Sequence, residues 1–288
     1  MDKIITEELL ERYREYLYQE EKSNATIMKY LTDLRKLMRF VDGREITKEL
    51  MIRYKEYLMN EKQYKSSSVN SYLVAANRFF DYMNWYGLGV KTVKVQKKVF
   101  VEEEREFTKL DFKKLVMAAW NLGRTRMAMV LQTICGTGMR VSEVQFITVD
   151  AVRKGRVIIY NKGKERVILI QRSLQLKLLA YINKQDIKSG LVFRTDSGKA
   201  MDRSYIWREM KKLCGRAEVS ESKVFPHNLR ALFARTYYEM YKDIAKLADI
   251  LGHSSIETTR IYIKTSGSEH RMQLDRLSLF DGLEWMGD

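Results

Sequence analysis

The chain is poor in the residues that cross-link, break or metallate a fold. Its 288 residues include one proline, Pro226, two cysteines, Cys135 and Cys214, and three histidines. A single proline excludes proline-rich spacers. Two distant cysteines, neither with a second close by, exclude both a disulfide framework and a zinc pattern. No His/Asp/Glu cluster has metal-ligand spacing, and Gly198-Lys199 is followed by Ala200 rather than Ser or Thr, so no phosphate loop is present. The expectation is a protein that needs no metal and no other cofactor. No apolar run reaches the roughly 18 residues of a membrane helix. The start, Met1-Asp2-Lys3 with Thr6-Glu7-Glu8 behind it, lacks the apolar core of a signal peptide. A reduced, cytoplasmic protein with no membrane partner is expected.

Material for packed cores is ample: 45% of residues are hydrophobic, 31% charged and 11% aromatic, which excludes a mainly disordered chain. At about 150 residues per domain, the length suits one large domain or two ordinary ones. Lys plus Arg number 52 against 37 Asp plus Glu, a net charge of +15. So basic a chain fits a polyanionic partner, nucleic acid before a membrane surface. The excess is spread along the chain, because residues 1–98 already hold 19 basic and 14 acidic side chains. Two basic lobes suit a clamp around a duplex better than one basic tail would.

Periodicity divides the chain. Apolar residues at spacings of three and four mark four amphipathic helices in the first part, through Leu9–Leu17, Ile27–Val41, Leu50–Leu58 and Val69–Met83. Ser23-Asn24 and the Ser66-Ser67-Ser68 run offer N-caps for the second and fourth. The pattern stops between Leu88 and Phe107, where lysines precede the run Glu102 to Glu104, so residues 91–107 read as a charged linker. Thr108-Lys109-Leu110-Asp111 then has the form of a capping box. β-branched runs at 156–161 and 166–170 surround Lys162-Gly163-Lys164, a hairpin with glycine at its turn. Helical segments follow near 174–184, 203–216, 227–241, 243–251 and 255–264. The fold class is therefore mainly α with a small antiparallel β-sheet (α+β).

The histidines carry the first chemical signal. His227 follows Pro226 in the first turn of a helix, and Arg230 projects from the same face one turn later. His253 follows the helix stop Leu251-Gly252, and Tyr262 lies nine residues beyond it. Any one of these residues would pass as a cap or a packed side chain. Four within 36 positions form a constellation.

Those residues, read as Pro226-His227-Asn228-Leu229-Arg230, Leu251-Gly252-His253-Ser254 and Thr258-Thr259-Arg260-Ile261-Tyr262, resemble the C-terminal signature of the tyrosine recombinases, the phage integrase family. Thr137-Gly138-Met139-Arg140-Val141-Ser142-Glu143 resembles the family's first arginine motif. Asn161-Lys162-Gly163-Lys164-Glu165-Arg166 resembles its lysine hairpin, one residue shorter than the commoner form. The position after Arg230, often histidine in the family, is Ala231 here, which implies altered packing rather than a lost catalytic group. The resemblance implies a helical core-binding, SAM-like domain over 1–90, a mixed catalytic domain over 108–266 and a C-terminal segment, 267–288, that docks on a neighbouring subunit.

The implied activity is cleavage and rejoining of DNA through a 3′-phosphotyrosyl intermediate. Tyr262 would be the nucleophile, and a phenol needs help losing its proton near neutral pH. Tyr237, Tyr238 and Tyr241 compete for that role, and distance from His253 singles out Tyr262. Arg140 and Arg230 would hold the non-bridging oxygens as planar, permanently charged bidentate donors. His227 and His253 would hydrogen-bond the phosphate, with His227 able to take the tyrosine proton. Lys162 would protonate the departing 5′-oxygen, and Lys164 is the alternative acid. Glu143 would orient Arg140.

DNA contacts are expected from Lys65, Ser66, Ser67, Asn70 and Arg78 in the first domain, and from Lys164, Arg203, Tyr205 and Arg208 in the second. The partners implied are double-stranded DNA at specific recombination sites and further copies of the chain in a tetramer. Accessory proteins stay open. The biological role is integration or excision of a mobile element, or chromosome dimer resolution. Two alternatives stand beside it: a type IB topoisomerase-like nicking and resealing enzyme, and a catalytically inactive DNA-binding regulator of recombination.

Overall fold

The computed structural model describes residues 3–94, 106–161, 164–263, 271–272 and 274–277, and of residues 161 and 164 the backbone alone. Lys162, most of the interdomain linker and most of 267–288 fall outside the described residues. The chain divides into two compact units, Met1–Lys97 and Lys98–Asp288.

The first unit is a helical bundle of α1 (Glu7–Gln19), α2 (Asn24–Val41), α3 (Lys48–Glu56) and α4 (Ser66–Tyr82), with a π-helical turn, Tyr57–Glu61, after α3. Thr6, Ser23 and Thr47 cap the first three helices through their hydroxyls, each satisfying an amide that helix geometry leaves free. The fourth helix departs from expectation. Its cap position is Lys65, without a side-chain cap bond, and the three serines lie inside the first turn. The apolar stripes converge on one core that includes Leu10, Tyr13, Leu34, Tyr54, Leu73 and Phe79. Two asparagines one heptad apart on α4 then hold the chain that follows. Asn77 pairs through both amide groups with the backbone of Val90, and Asn70 does the same with Val93.

The second unit begins with α5 (Lys109–Asn121), started by the expected Thr108–Asp111 capping box, and α6 (Thr125–Thr137). A 3-10 turn, Val141–Phe146, and the short α7 (Val149–Arg153) lead into the hairpin of β1 (Arg156–Asn161) and β2 (Lys164–Leu169). The strands pair antiparallel from Arg156↔Leu169 to Asn161↔Lys164, so the backbone of Lys164 belongs to β2 rather than to the turn. Val157, Ile159 and Ile168 face the core, while Ile158, Tyr160, Val167 and Leu169 are exposed. Then come α8 (Arg172–Lys184), α9 (Arg203–Lys211), α10 (Cys214–Ala217), α11 (Pro226–Tyr241), α12 (Ile244–Leu251) and α13 (Ile256–Arg260). The segment expected to be one helix over 203–216 breaks at Lys212-Leu213. The fold class is mainly α with a two-stranded antiparallel sheet, as the periodicity indicated. Among the described residues, no helix is long and apolar enough to cross a membrane.

Candidate active site

The site assembles where four parts of the second unit meet: the end of α6, strand β2, the start of α11 and the α12–α13 turn. Helix α6 stops at Gly138 in the left-handed region, φ +65°, with Phe233 so close that a Cβ would lie 2.4 Å from its ring. That stop turns Arg140 out of the helix. Its backbone N–H donates to Glu143 Oε2 (2.7 Å) and its Nη1 to Glu143 Oε1 (3.1 Å), while Nη2 makes a long bond to the Gly252 carbonyl at 3.4 Å. The Arg140 side chain is 44% exposed, so its fork is open to an incoming anion.

Arg230, one turn into α11, is 2% exposed. Its Nη1 donates to the Gly138 carbonyl (2.5 Å), and its Nη2 to the Leu251 carbonyl (2.7 Å) and His253 Nε2 (2.8 Å). One buried cation thus ties the ends of α6 and α12 together. Its Nε has no partner among the described residues.

These bonds decide the His253 tautomer. A guanidinium only donates, so Nε2 must accept and the ring proton sits on Nδ1. That proton donates to Thr259 Oγ1 at 2.8 Å, from a threonine fully buried on α13. Tyr262, just past α13, is 9% exposed and packs with Ala234, Leu247 and Leu251. Its ring stacks on His253 at 5.5 Å with an 8° interplanar angle, and lies 5.0 Å from the ring of His227. The Arg230 guanidinium carbon is 6.0 Å from the Tyr262 ring centre.

Both histidines are held neutral. Burial pushes His227 below its ordinary range, and the charges of Arg230 and Arg203 add to that. Burial pushes His253 down from 6.5 to about 4, reinforced by Arg230, Arg140, Arg166 and His227. A base with a depressed folded pKa stays uncharged while the unfolded chain takes up its proton. The His253 contribution to stability is therefore complete above about pH 6.5, falls as the pH drops towards about 4, and declines no further below that. NMR titration of the free protein should place the His253 imidazole midpoint near 4. A midpoint at 6.5 or above would contradict this geometry.

The structure thus brings together Arg140, Glu143, His227, Arg230, His253 and Tyr262, and Lys162 lies outside the described residues. Lys65, Ser66, Ser67, Asn70 and Arg78 sit on or at α4 of the other unit. Lys65, Ser67 and Arg78 are exposed there, whereas each amide atom of Asn70 is already paired with Val93. Arg203 and Arg208 are exposed on α9 and Tyr205 is packed partly against the core. Among the described residues no group of three or more His, Cys, Asp or Glu side chains is placed to hold a metal ion.

Residues 105–269 match the phage integrase family, and residues 10–87 match the SAM-like N-terminal domain of phage integrases. The chain belongs to the phage integrase family. Among its relatives, the tyrosine recombinase XerA of Pyrococcus furiosus is 26% identical, with 98% of each chain covered. The tyrosine recombinase XerH of Campylobacter jejuni is 30% identical over 68% of this chain and 61% of its own. A crystal structure of XerA recombinase matches with a TM-score of 0.51 at 25% identity, covering 95% of this chain and 98% of that one. The fold is also that of a XerH site-specific recombinase bound to its difH substrate, TM-score 0.67 at 18% identity, covering 96% and 85%.

Two residues of this integrase-family site carry interactions beyond those the sequence motifs imply. Thr259 accepts the Nδ1 proton of His253, and Arg166 donates to Glu143 Oε1 (2.7 Å) and to the Ile250 carbonyl (3.1 Å). Arg166 had a visible signal: it shares strand parity with the core residue Ile168, so a charge stood at an inward position. Gly252 belongs to the same contact. Its φ is +64°, and a Cβ there would meet Arg166 Nε at 2.4 Å. Gly252→Ala should destabilise by about 1 kcal/mol for the left-handed backbone alone, and by more for the displaced arginine. Equilibrium denaturation of Gly252→Ala with and without Arg166→Ala would separate the two contributions. The second should vanish in the double variant.

Proposed function

We propose that the chain is a site-specific DNA recombinase that cleaves and rejoins strands through a 3′-phosphotyrosyl intermediate. The observation that carries this reading is the Tyr262 phenol held between two neutral histidines and beside the buried Arg230. In this reading Tyr262 attacks the phosphorus, the P–O5′ bond breaks, and the 5′-oxygen leaves with a proton from Lys162 or Lys164. His227, uncharged and not engaged by Arg230, takes the phenolic proton. Arg140 and Arg230 stabilise the charge that grows on the non-bridging oxygens, where preorganised cations are most effective. Glu143 aims Arg140. Because the bond energy stays in the phosphotyrosine, rejoining consumes neither ATP nor metal.

Residues 1–90 bind DNA through α4, 91–107 link, 108–266 perform the chemistry, and 267–288 dock on a neighbouring copy in a tetramer on two sites. Lys65, Ser66, Ser67 and Arg78 of the first unit and Lys164, Arg203, Tyr205 and Arg208 of the second contact the duplex. The DNA acted on is cytoplasmic, in integration or excision of a mobile element or in chromosome dimer resolution.

The test is covalent capture. Nicked suicide duplexes, built on a site selected by binding from random sequence, are incubated with the protein in EDTA. A protease-sensitive adduct on the 3′-phosphate, with a free 5′-hydroxyl, is the expected result. Tight, specific binding without an adduct would instead indicate an inactive DNA-binding regulator.

A further inference from the structure

The β-hairpin is tied to its unit through the inward side chains of its two strands. Its base is anchored by apolar side chains: Val157, Ile159 and Ile168 are all buried. Towards the turn that anchoring ends. Ile159 pairs with Arg166, Tyr160 with Glu165, and Asn161 with Lys164, and Tyr160 is 73% exposed. Arg166 is therefore the last inward-facing residue of β2 that the structure describes before the turn. A strand at that position would ordinarily carry another valine or isoleucine.

What the arginine does there is reach off the hairpin in two directions. Nη1 donates to Glu143, whose carboxylate also orients Arg140, and Nη2 donates to the Ile250 carbonyl in the last turn of α12. Its stem fills the space over Gly252, the residue before His253. Only a planar fork spans a carboxylate on one element and a carbonyl on another. Burying the cation is unfavourable. Its side chain is 15% exposed and its Nε has no partner among the described residues. An apolar residue of similar volume would avoid that penalty, so the gain from the arginine is one of position rather than stability.

We propose that Arg166 is the positioning residue for the lysine of the hairpin: it locks β2, the strand that starts at Lys164 just after Lys162, to the Arg140–Glu143 pair and to the turn that presents His253. The proposal rests on the recombinase reading. Its consequence is specific to one step. Losing the lock unties β2 from both elements, and the group that suffers is the acid protonating the 5′-oxygen, since Glu143 keeps its bonds to Arg140 and His253 keeps Arg230 and Thr259.

Two suicide substrates distinguish that step, one with the ordinary 5′-bridging oxygen and one with sulfur in its place. An alkoxide needs a proton to leave, whereas a thiolate, whose conjugate acid has an ordinary pKa of about 8.5, leaves without one. Arg166→Met keeps the volume and removes the fork. Its cleavage of the oxygen substrate should fall by at least about tenfold, and up to the range on the order of 10²–10⁴ that an acid can contribute. Its cleavage of the sulfur substrate should stay within about twofold of wild type, the deficit being confined to proton donation. Equal losses on both substrates with DNA affinity retained, or no loss on either, would overturn the proposal. Arg166→Lys keeps stem and charge but reaches only one of the two partners, and it decides the matter if the methionine variant fails to fold, by the same substrate-selective loss or its absence. Wild-type protein that forms no adduct with either substrate would overturn the recombinase reading itself.

Discussion

Tyr262→Phe is expected to lose the covalent adduct completely while keeping the fold and the affinity for DNA. The ring contributes the structural part of this residue: it packs with Ala234, Leu247 and Leu251, stacks on His253 and lies beside His227. Phenylalanine preserves each of those contacts. Only the hydroxyl is removed, so the change in stability should stay within about 1 kcal/mol, the usual net worth of one hydrogen-bonding group. Phenylalanine has no oxygen to attack phosphorus, and the rate should fall by a factor on the order of 10⁴ or more, as it does when a nucleophile is deleted from a working site. Tyr237, Tyr238 and Tyr241 serve as controls. They lie on α11, and phenylalanine at each should leave adduct formation near wild type. An adduct that persists in Tyr262→Phe would mean that another tyrosine is the nucleophile.

The outline of this site was legible in the sequence because its residues sit at local signals. Pro226 opens α11, and so places His227 and Arg230 on one helical face. Gly138 and Gly252 end helices in the left-handed region, and so turn Arg140 and His253 towards the site. Such signals are short-range and follow from backbone chemistry. The interactions joining the segments are not. Arg230 reaches the Gly138 carbonyl 92 positions away, and Arg166 reaches Ile250 across 84. The inward parity of Arg166 on its strand is a local signal, but no local pattern shows which distant carbonyl either arginine reaches. The same limit explains Asn70. Its place on a helix beside Lys65 and Ser67 suggests a DNA contact, whereas its amide pairs with a backbone 23 residues later. The Ser66-Ser67-Ser68 run erred for a smaller reason, since any of three serines satisfies the composition of a cap and the helix begins one residue before the pattern can tell them apart.

Arg230 and Arg140 share a proposed chemistry but carry different structural weight, and their alanine variants should show it. Arg230→Ala removes a cation that is 2% exposed, and leaves the Gly138 and Leu251 carbonyls and His253 Nε2 without their donor. Each buried acceptor so stranded costs about 1–3 kcal/mol. The sum should exceed about 3 kcal/mol, a fall in melting temperature of about 6–12 °C for a unit of this size. With Nε2 unoccupied, the His253 ring also loses the bond that fixes its tautomer. Arg140→Ala removes a side chain that is 44% exposed and bonded mainly to Glu143, which retains Arg166. Its stability should change by less than about 1 kcal/mol, as for other exposed ion pairs. Cleavage of a suicide substrate, measured at a temperature where both variants are folded, should nevertheless fall in each by a factor on the order of 10² or more, since each removes a donor from the developing charge. Arg230→Lys restores the charge from a single nitrogen, which cannot serve carbonyls at the ends of two helices and an imidazole together, so it should recover little of either property. Full activity in Arg230→Lys would mean that the site requires a cation there and not a fork.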